Sequence, residues 1–204
     1  MKRNETNRRR AAFLDRDGVI NIDRGYVYRR EDFDFVPGVL KGARELSELG
    51  YLLVVATNQS GIGRGLYSEG DFEALTAWMK AEFLAASAPL SGVYFCPHHP
   101  SEGLGSYRCS CDCRKPAPGM LTTAARDLNL DLSASIVFGD SVSDLNAAQA
   151  AGVALRVLLG TDGRDVPSIP SVPGLVSAAF SRLDEALADP VLRSQLSAPN
   201  IIIG

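Results

Sequence analysis

The sequence predicts an α/β protein: a parallel sheet with helices packed on both faces. Three observations lead there. Short apolar runs alternate with segments of helical period along the 204 residues. The connections between runs are long enough for crossover helices rather than hairpins. Acids and small polar residues stand directly after several of the runs, at what becomes the carboxyl edge of such a sheet.

The elements follow in order. Ala11–Leu14 is the first strand candidate. Val39, Leu40, Ala43, Leu46 and Leu49 recur at helical spacing until Gly50 ends the run. Tyr51–Ala56 is the second strand. Ser68 opens a helix with Asp71 three residues on, a capping-box pattern, and Phe72, Leu75, Met79 and Phe83 form its apolar stripe. Gly92–Phe95, Ser135–Phe138 and Val153–Leu158 complete the strands, separated by helices carrying Met120, Leu121, Ala124, Ala125 and Leu128, then Leu145, Ala148 and Ala151. Gly160 to Gly174 reads as a surface loop, and Leu183 to Leu187 as a last short helix.

Composition narrows the function classes. With 46% hydrophobic and 22% charged residues, the chain has the means to build a core. A net charge of −3 gives no basic excess of the kind nucleic-acid binding requires. Five Lys/Arg residues fall within residues 1–10, which read as a flexible basic tail. Residues 11–190 read as one domain and 191–204 as a loosely attached end. No run is apolar and long enough for a signal peptide or membrane span, so a cytoplasmic monomer acting on a small molecule is expected, with no nucleic-acid or membrane partner.

Asp15-Arg16-Asp17-Gly18 follows the first strand. Its glycine falls too early for a calcium-binding helix–loop–helix motif, and no glutamate stands at the twelfth position. Three companions raise the pattern above an ordinary turn. Thr57-Asn58 could hold phosphoryl oxygens, Lys115 could neutralise a phosphoryl group, and Asp140 could complete an oxygen-rich magnesium site.

Cysteine usage supplies a second constellation. Cys96, Cys109, Cys111 and Cys113 cluster with His98 and His99 between residues 96 and 113. That density favours a closed zinc site in a reducing compartment, with six candidates for four positions.

Together, Asp15-Arg16-Asp17-Gly18, Thr57-Asn58, Lys115 and Gly139-Asp140-Ser-Val-Ser-Asp144 resemble the four motifs of the haloacid dehalogenase (HAD) superfamily. The resemblance runs from about residue 11 to 160. It implies a Rossmann-like sheet of strand order 3-2-1-4-5. It also implies magnesium-dependent phosphoryl transfer, with Asp15 as nucleophile and Asp17 as general acid and base. Magnesium would be held by the Asp15 carboxylate, the Asp17 main-chain carbonyl and Asp140. Lys115 and Thr57 would stabilise the phosphoryl oxygens, and Asp144 would orient Lys115 or a metal-bound water.

Cys96-Pro-His98 with Cys111-Asp-Cys113-Arg114-Lys115-Pro116 is similar to a bacterial subgroup of that superfamily, which contains heptose bisphosphate phosphatases and histidinol-phosphate phosphatases. That likeness selects Cys96, His98, Cys111 and Cys113 as zinc ligands. The chain between Asp17 and Thr57 is too short for a separate cap domain, so the zinc loop would wall the site instead. The expected substrate contacts are Asp23, Arg24, Gly25, Tyr26, Asn58, Gln59, Ser60, Arg64 and Arg114. Ser141 stands where the heptose phosphatases carry a basic residue, removing one cation. Removal of one phosphate from a heptose bisphosphate is the leading expectation. Alternatives are histidinol-phosphate hydrolysis, polynucleotide 3'-phosphate hydrolysis, and a non-enzymatic zinc-loop binding protein.

Overall fold

The structure, a computed structural model, describes residues 8–165 and 174–197. Six parallel strands form one sheet in the order β3-β2-β1-β4-β5-β6. The strands are β1 (Ala11–Leu14), β2 (Leu52–Asn58), β3 (Leu90–Cys96), β4 (Ile136–Gly139), β5 (Leu155–Leu159) and β6 (Ala178–Phe180). The helices are α1 (Val39–Glu48), α2 (Ser60–Gly63), α3 (Glu69–Ala85), α4 (Gly119–Leu128), α5 (Val142–Ala150), α6 (Leu183–Ala188) and α7 (Pro190–Ser197).

Two apolar layers sandwich the sheet. Leu46 of α1, Phe83 of α3 and Leu183 of α6 pack with Leu14 and Val55 on one face. Met120 and Leu121 of α4 and Ala147 and Ala148 of α5 pack with Phe13 and Val137 on the other. Alternate side chains of one strand thus enter both layers, as burial on both faces requires.

The α3 capping box forms as its sequence predicts: Ser68 N donates to Asp71 Oδ2 at 2.8 Å, and Asp71 N to Ser68 Oγ at 3.1 Å. The order 3-2-1-4-5 holds, with β6 added outside β5. Three residues without an alternating pattern gave no strand signal of their own; pairing with β5 makes them one.

Both ends need correction. Arg9 bridges to Leu130, and Arg10 donates to Leu196 O at 2.8 Å and Leu49 O at 2.6 Å. The guanidinium thereby serves carbonyls at two helix ends, which ties residues expected to be loose. Residues 191–197 are likewise not a loose end, because Leu192 and Leu196 of α7 are buried in the core. Residues 1–7 and 198–204 of the expected tails, and 166–173 of the expected surface loop, lie outside the described residues. Within that loop, Thr161–Gly163 makes a short helical turn.

Register sets the site. Leu14 lies opposite Val55 on one side and Phe138 on the other, so the segments after β1, β2 and β4 emerge at one edge. β1 lies between β2 and β4, where chain order reverses and a crevice opens.

Candidate active site

Asp15 leaves β1 with its N–H donated to Phe138 O at 3.1 Å. Lys115 arrives from the far end of the cysteine loop and is buried. Its Nζ lies 2.9 Å from Asp15 Oδ2, 2.5 Å from Asp144 Oδ1 and 2.8 Å from Ala56 O. Asp144, in the first turn of α5, accepts from Ser141 N at 3.1 Å and Ser141 Oγ at 2.6 Å. Ser141 therefore caps the helix and fixes the carboxylate that holds Lys115.

Asp15, Asp140 and Asp144 bring carboxylate oxygens within 4.8 Å of one another. Burial and crowding raise two of them, Asp15 and Asp140. Burial pushes Asp15 up to about 8, with the Asp144 and Asp140 carboxylates adding and Lys115 opposing. Burial, then Asp144, pushes Asp140 up to about 6. Burial opposes the charge on Lys115, but Asp144 and Asp15 outweigh it and hold Lys115 above the ordinary lysine range. Three carboxylates facing one ammonium form an oxygen-only donor set that fits a hard divalent cation. Gly18 (φ +83°) allows the close approach, since a Cβ there would overlap Asp140 Oδ2.

Asp17 points elsewhere. Its carboxylate accepts from Arg16 Nη2 at 2.8 Å, Asn21 Nδ2 at 3.0 Å and Gln59 Nε2 at 2.8 Å. Gln59 also donates to Thr57 Oγ1 at 2.9 Å and accepts from Tyr67 Oη at 2.5 Å. The sequence places Gln59 among the substrate contacts; its amide is instead buried and committed to Asp17, Thr57 and Tyr67. Asn58, also among those expected contacts, has its side-chain amide engaged by Lys115: it accepts from Lys115 N at 3.0 Å and donates to Lys115 O at 3.2 Å. Sequence reasoning missed Arg16, Asn21 and Tyr67. The position of Arg16 between the two acids was the one available signal.

A cavity of about 350 Å³ opens beside Asp17 and is lined by Asp23, Gly25, Tyr26, Ser60 and Tyr67, with Asn58 and Gln59. Asp23 Oδ1 accepts from Gly25 N at 2.8 Å, and Asp23 N donates to Asp162 Oδ1 at 2.7 Å, so a turn inside the segment is anchored at its first residue. Arg24 is not among the lining residues; it pairs with Asp34 at 2.6 Å. Arg64 pairs with Glu102, and its guanidinium carbon lies 5.7 Å from the Tyr26 ring centre. Arg114 donates to His98 O at 3.2 Å.

Cys96, His98, Cys111 and Cys113, the four that the family likeness selects among six candidates, lie together in the structure. The Sγ of Cys113 lies 3.1 Å from that of Cys96, 3.3 Å from that of Cys111 and 3.3 Å from His98 Nδ1. Three sulfurs and an imidazole nitrogen so close suit a tetrahedral metal. Cys109 is outside the group, and the His99 ring instead accepts from Glu102 N at 3.0 Å. Cys96 is the last residue of β3, so the cluster is anchored on the sheet. The loop is also tied to α2: Gly63 N donates to Pro97 O at 3.1 Å, and Leu104 N to Gly63 O at 2.7 Å.

An acid beside a buried lysine, a carboxylate trio on the switch-point crevice and a second acid facing a cavity define a HAD-like phosphatase. The HAD-hydrolase-like family model matches residues 112–186, the stretch carrying Lys115, Asp140 and Asp144. The D-glycero-beta-D-manno-heptose-1,7-bisphosphate 7-phosphatase of Vibrio cholerae is 50% identical over 151 residues, covering 74% of this chain and 81% of that protein. Its Escherichia coli K12 counterpart is 44% identical over 177 residues, covering 87% and 93%. A crystal structure of the D,D-heptose 1,7-bisphosphate phosphatase from B. bronchiseptica with magnesium and phosphate is 32% identical, covers 91% of this chain and 99% of that one, and has a TM-score of 0.76. The chain belongs to the D-glycero-beta-D-manno-heptose-1,7-bisphosphate 7-phosphatase family.

Proposed function

We propose that this protein removes the 7-phosphate of D-glycero-β-D-manno-heptose 1,7-bisphosphate. The observation that carries the reading is Lys115 locked between Asp15 and Asp144, beside the cavity onto which Asp17 and the Asp23–Tyr26 segment open. Asp15 attacks phosphorus, forming an acyl phosphate as the bond to the sugar oxygen breaks. Asp17 gives its proton to that oxygen. Asp17 then takes a proton from water, which attacks the phosphorus and frees Asp15. Lys115 neutralises charge on the transferring phosphoryl group, and Thr57 adds a hydroxyl nearby. Asp15, Asp140 and the Asp17 main-chain carbonyl would hold magnesium, whose chemistry is to screen the repulsion between carboxylate and phosphate.

The thiolate and imidazole donors favour zinc in the loop. That loop supports a rigid wall beside the substrate, with Arg114 and Arg64 as the cations for the remaining phosphate. A cytoplasmic location fits the clustered thiols; no described helix is long and apolar enough to cross a membrane.

The test is phosphate release with magnesium and with chelator, from the heptose bisphosphate, histidinol phosphate and a 3'-phosphorylated oligonucleotide. The heptose bisphosphate should lead by about tenfold or more in kcat/KM. Equal turnover of histidinol phosphate would overturn the substrate assignment, and full turnover by Asp15→Asn the mechanism.

A further inference from the structure

The catalytic cavity has a larger neighbour. Tyr67, which lines the first, stacks on Tyr28 with ring centres 5.1 Å apart and planes 6° apart. Tyr28 lines a second cavity of about 540 Å³, together with Arg29, Arg30, Leu66, Asp71 and Trp78 among others. Its volume far exceeds what inorganic phosphate needs.

Two adjacent cations rim this cavity. The Arg29 guanidinium carbon lies 5.0 Å from the Tyr28 ring centre, and that of Arg30 lies 5.2 Å from the Trp78 ring centre. Among the described residues neither has an ion pair or a hydrogen bond to its side chain. Asp71, the acid on the lining, commits its carboxylate to Ser68 N and Oγ at 2.8 and 2.7 Å; Arg29 stands near it without pairing. Exposed arginines without acid partners usually turn out to water. These two are held against rings with their N–H groups uncommitted. The buried Trp78 indole Nε1 also lacks an acceptor among the described residues. An apolar floor completes the cavity, with Leu66 51% exposed and Ala74 beside it.

We propose that this cavity binds an organic phosphate with a planar body, of which a nucleoside diphosphate is the simplest form. The phosphate oxygens accept from Arg29 and Arg30. The base lies over the apolar floor and against a guanidinium plane, as bases stack on arginine. This assignment is independent of the phosphatase reading, because no residue in it is given a part in the reaction.

Trp78 is the one tryptophan of the chain, so intrinsic fluorescence reports directly on the cavity. The full chain is titrated with ADP, pyrophosphate and adenosine, with calorimetry in parallel because Arg30 touches the fluorophore. ADP should give a saturable change at a concentration about tenfold or more below either fragment. Arg29→Ala and Arg30→Ala should each weaken ADP binding about tenfold while phosphatase turnover stays unchanged. No binding of ADP, or binding that survives both substitutions, overturns the site. Pyrophosphate binding as tightly as ADP overturns the planar-body assignment.

Discussion

The side-chain amide of Asn58 grips the peptide of Lys115 at both ends, accepting from its N–H at 3.0 Å and donating to its carbonyl at 3.2 Å. A residue at the end of β2 thus fixes the main chain that delivers the buried lysine to Asp15. Asn58→Ala removes both bonds and should cost about 1–3 kcal/mol, a fall in kcat of roughly 5- to 150-fold with a smaller change in KM. Asn58→Asp keeps the acceptor and should fall between wild type and alanine. Steady-state kinetics check both, and an unchanged kcat would refute the gripping role.

Asp15 and Asp140 make stability depend on pH in a definite direction. Asp15 and Asp140 are raised to about 8 and about 6. Without a metal, their contribution is fully present below the ordinary aspartate value of about 4 and is lost as pH rises through about 8. Magnesium held there, as proposed, competes with those protons. The rise in Tm on adding magnesium should therefore be larger at pH 8 than at pH 5, as differential scanning fluorimetry would show. A shift independent of pH would argue against binding at this trio.

Gln59 holds Asp17 at 2.8 Å from inside the core, so Gln59→Leu should misplace the proposed general acid while leaving Asp15 and Lys115 in position. The loss should reach about 100-fold for the acyl-phosphate-forming step on an alkyl phosphate, whose leaving group needs a proton. On p-nitrophenyl phosphate the same step should suffer far less, and single-turnover kinetics separate the two.

Removing a ligand from the cysteine cluster should act through the loop. Cys111→Ser should lower bound metal from about one per chain and reduce Tm. Because Pro97 and Leu104 clasp Gly63, KM should rise more than kcat falls. Metal analysis beside kinetics tests this; full metal content in Cys111→Ser would remove the cluster assignment.

Leu196 is fully buried near the end of α7. Leu196→Ala should destabilise the protein by about 2–5 kcal/mol in denaturant titrations, with kcat at 25 °C nearly unchanged.

Much of this was legible in the residues themselves. The alternation of apolar runs announced the parallel sheet, and the polar groups at the ends of β1, β2 and β4 located the crevice. What could not be read was direction. Asn58 and Gln59 carry amides suited to a ligand, and nothing in their order along the chain says that both turn inward, onto Lys115 and Asp17. Asp17 and Asp15, two residues apart, likewise face different partners. Arg10 and α7 were hidden for another reason. Each looks like a frayed end until the other is in place, because Arg10 bonds the carbonyl of Leu196. Contacts across 186 positions of sequence leave no local trace.

Gly18 stands where the first acid segment meets Asp140, with no space for a methyl group. Saturation of that codon under selection for turnover should therefore return glycine alone. Even alanine would act as a wedge, turning the Asp140 carboxylate away from its neighbours.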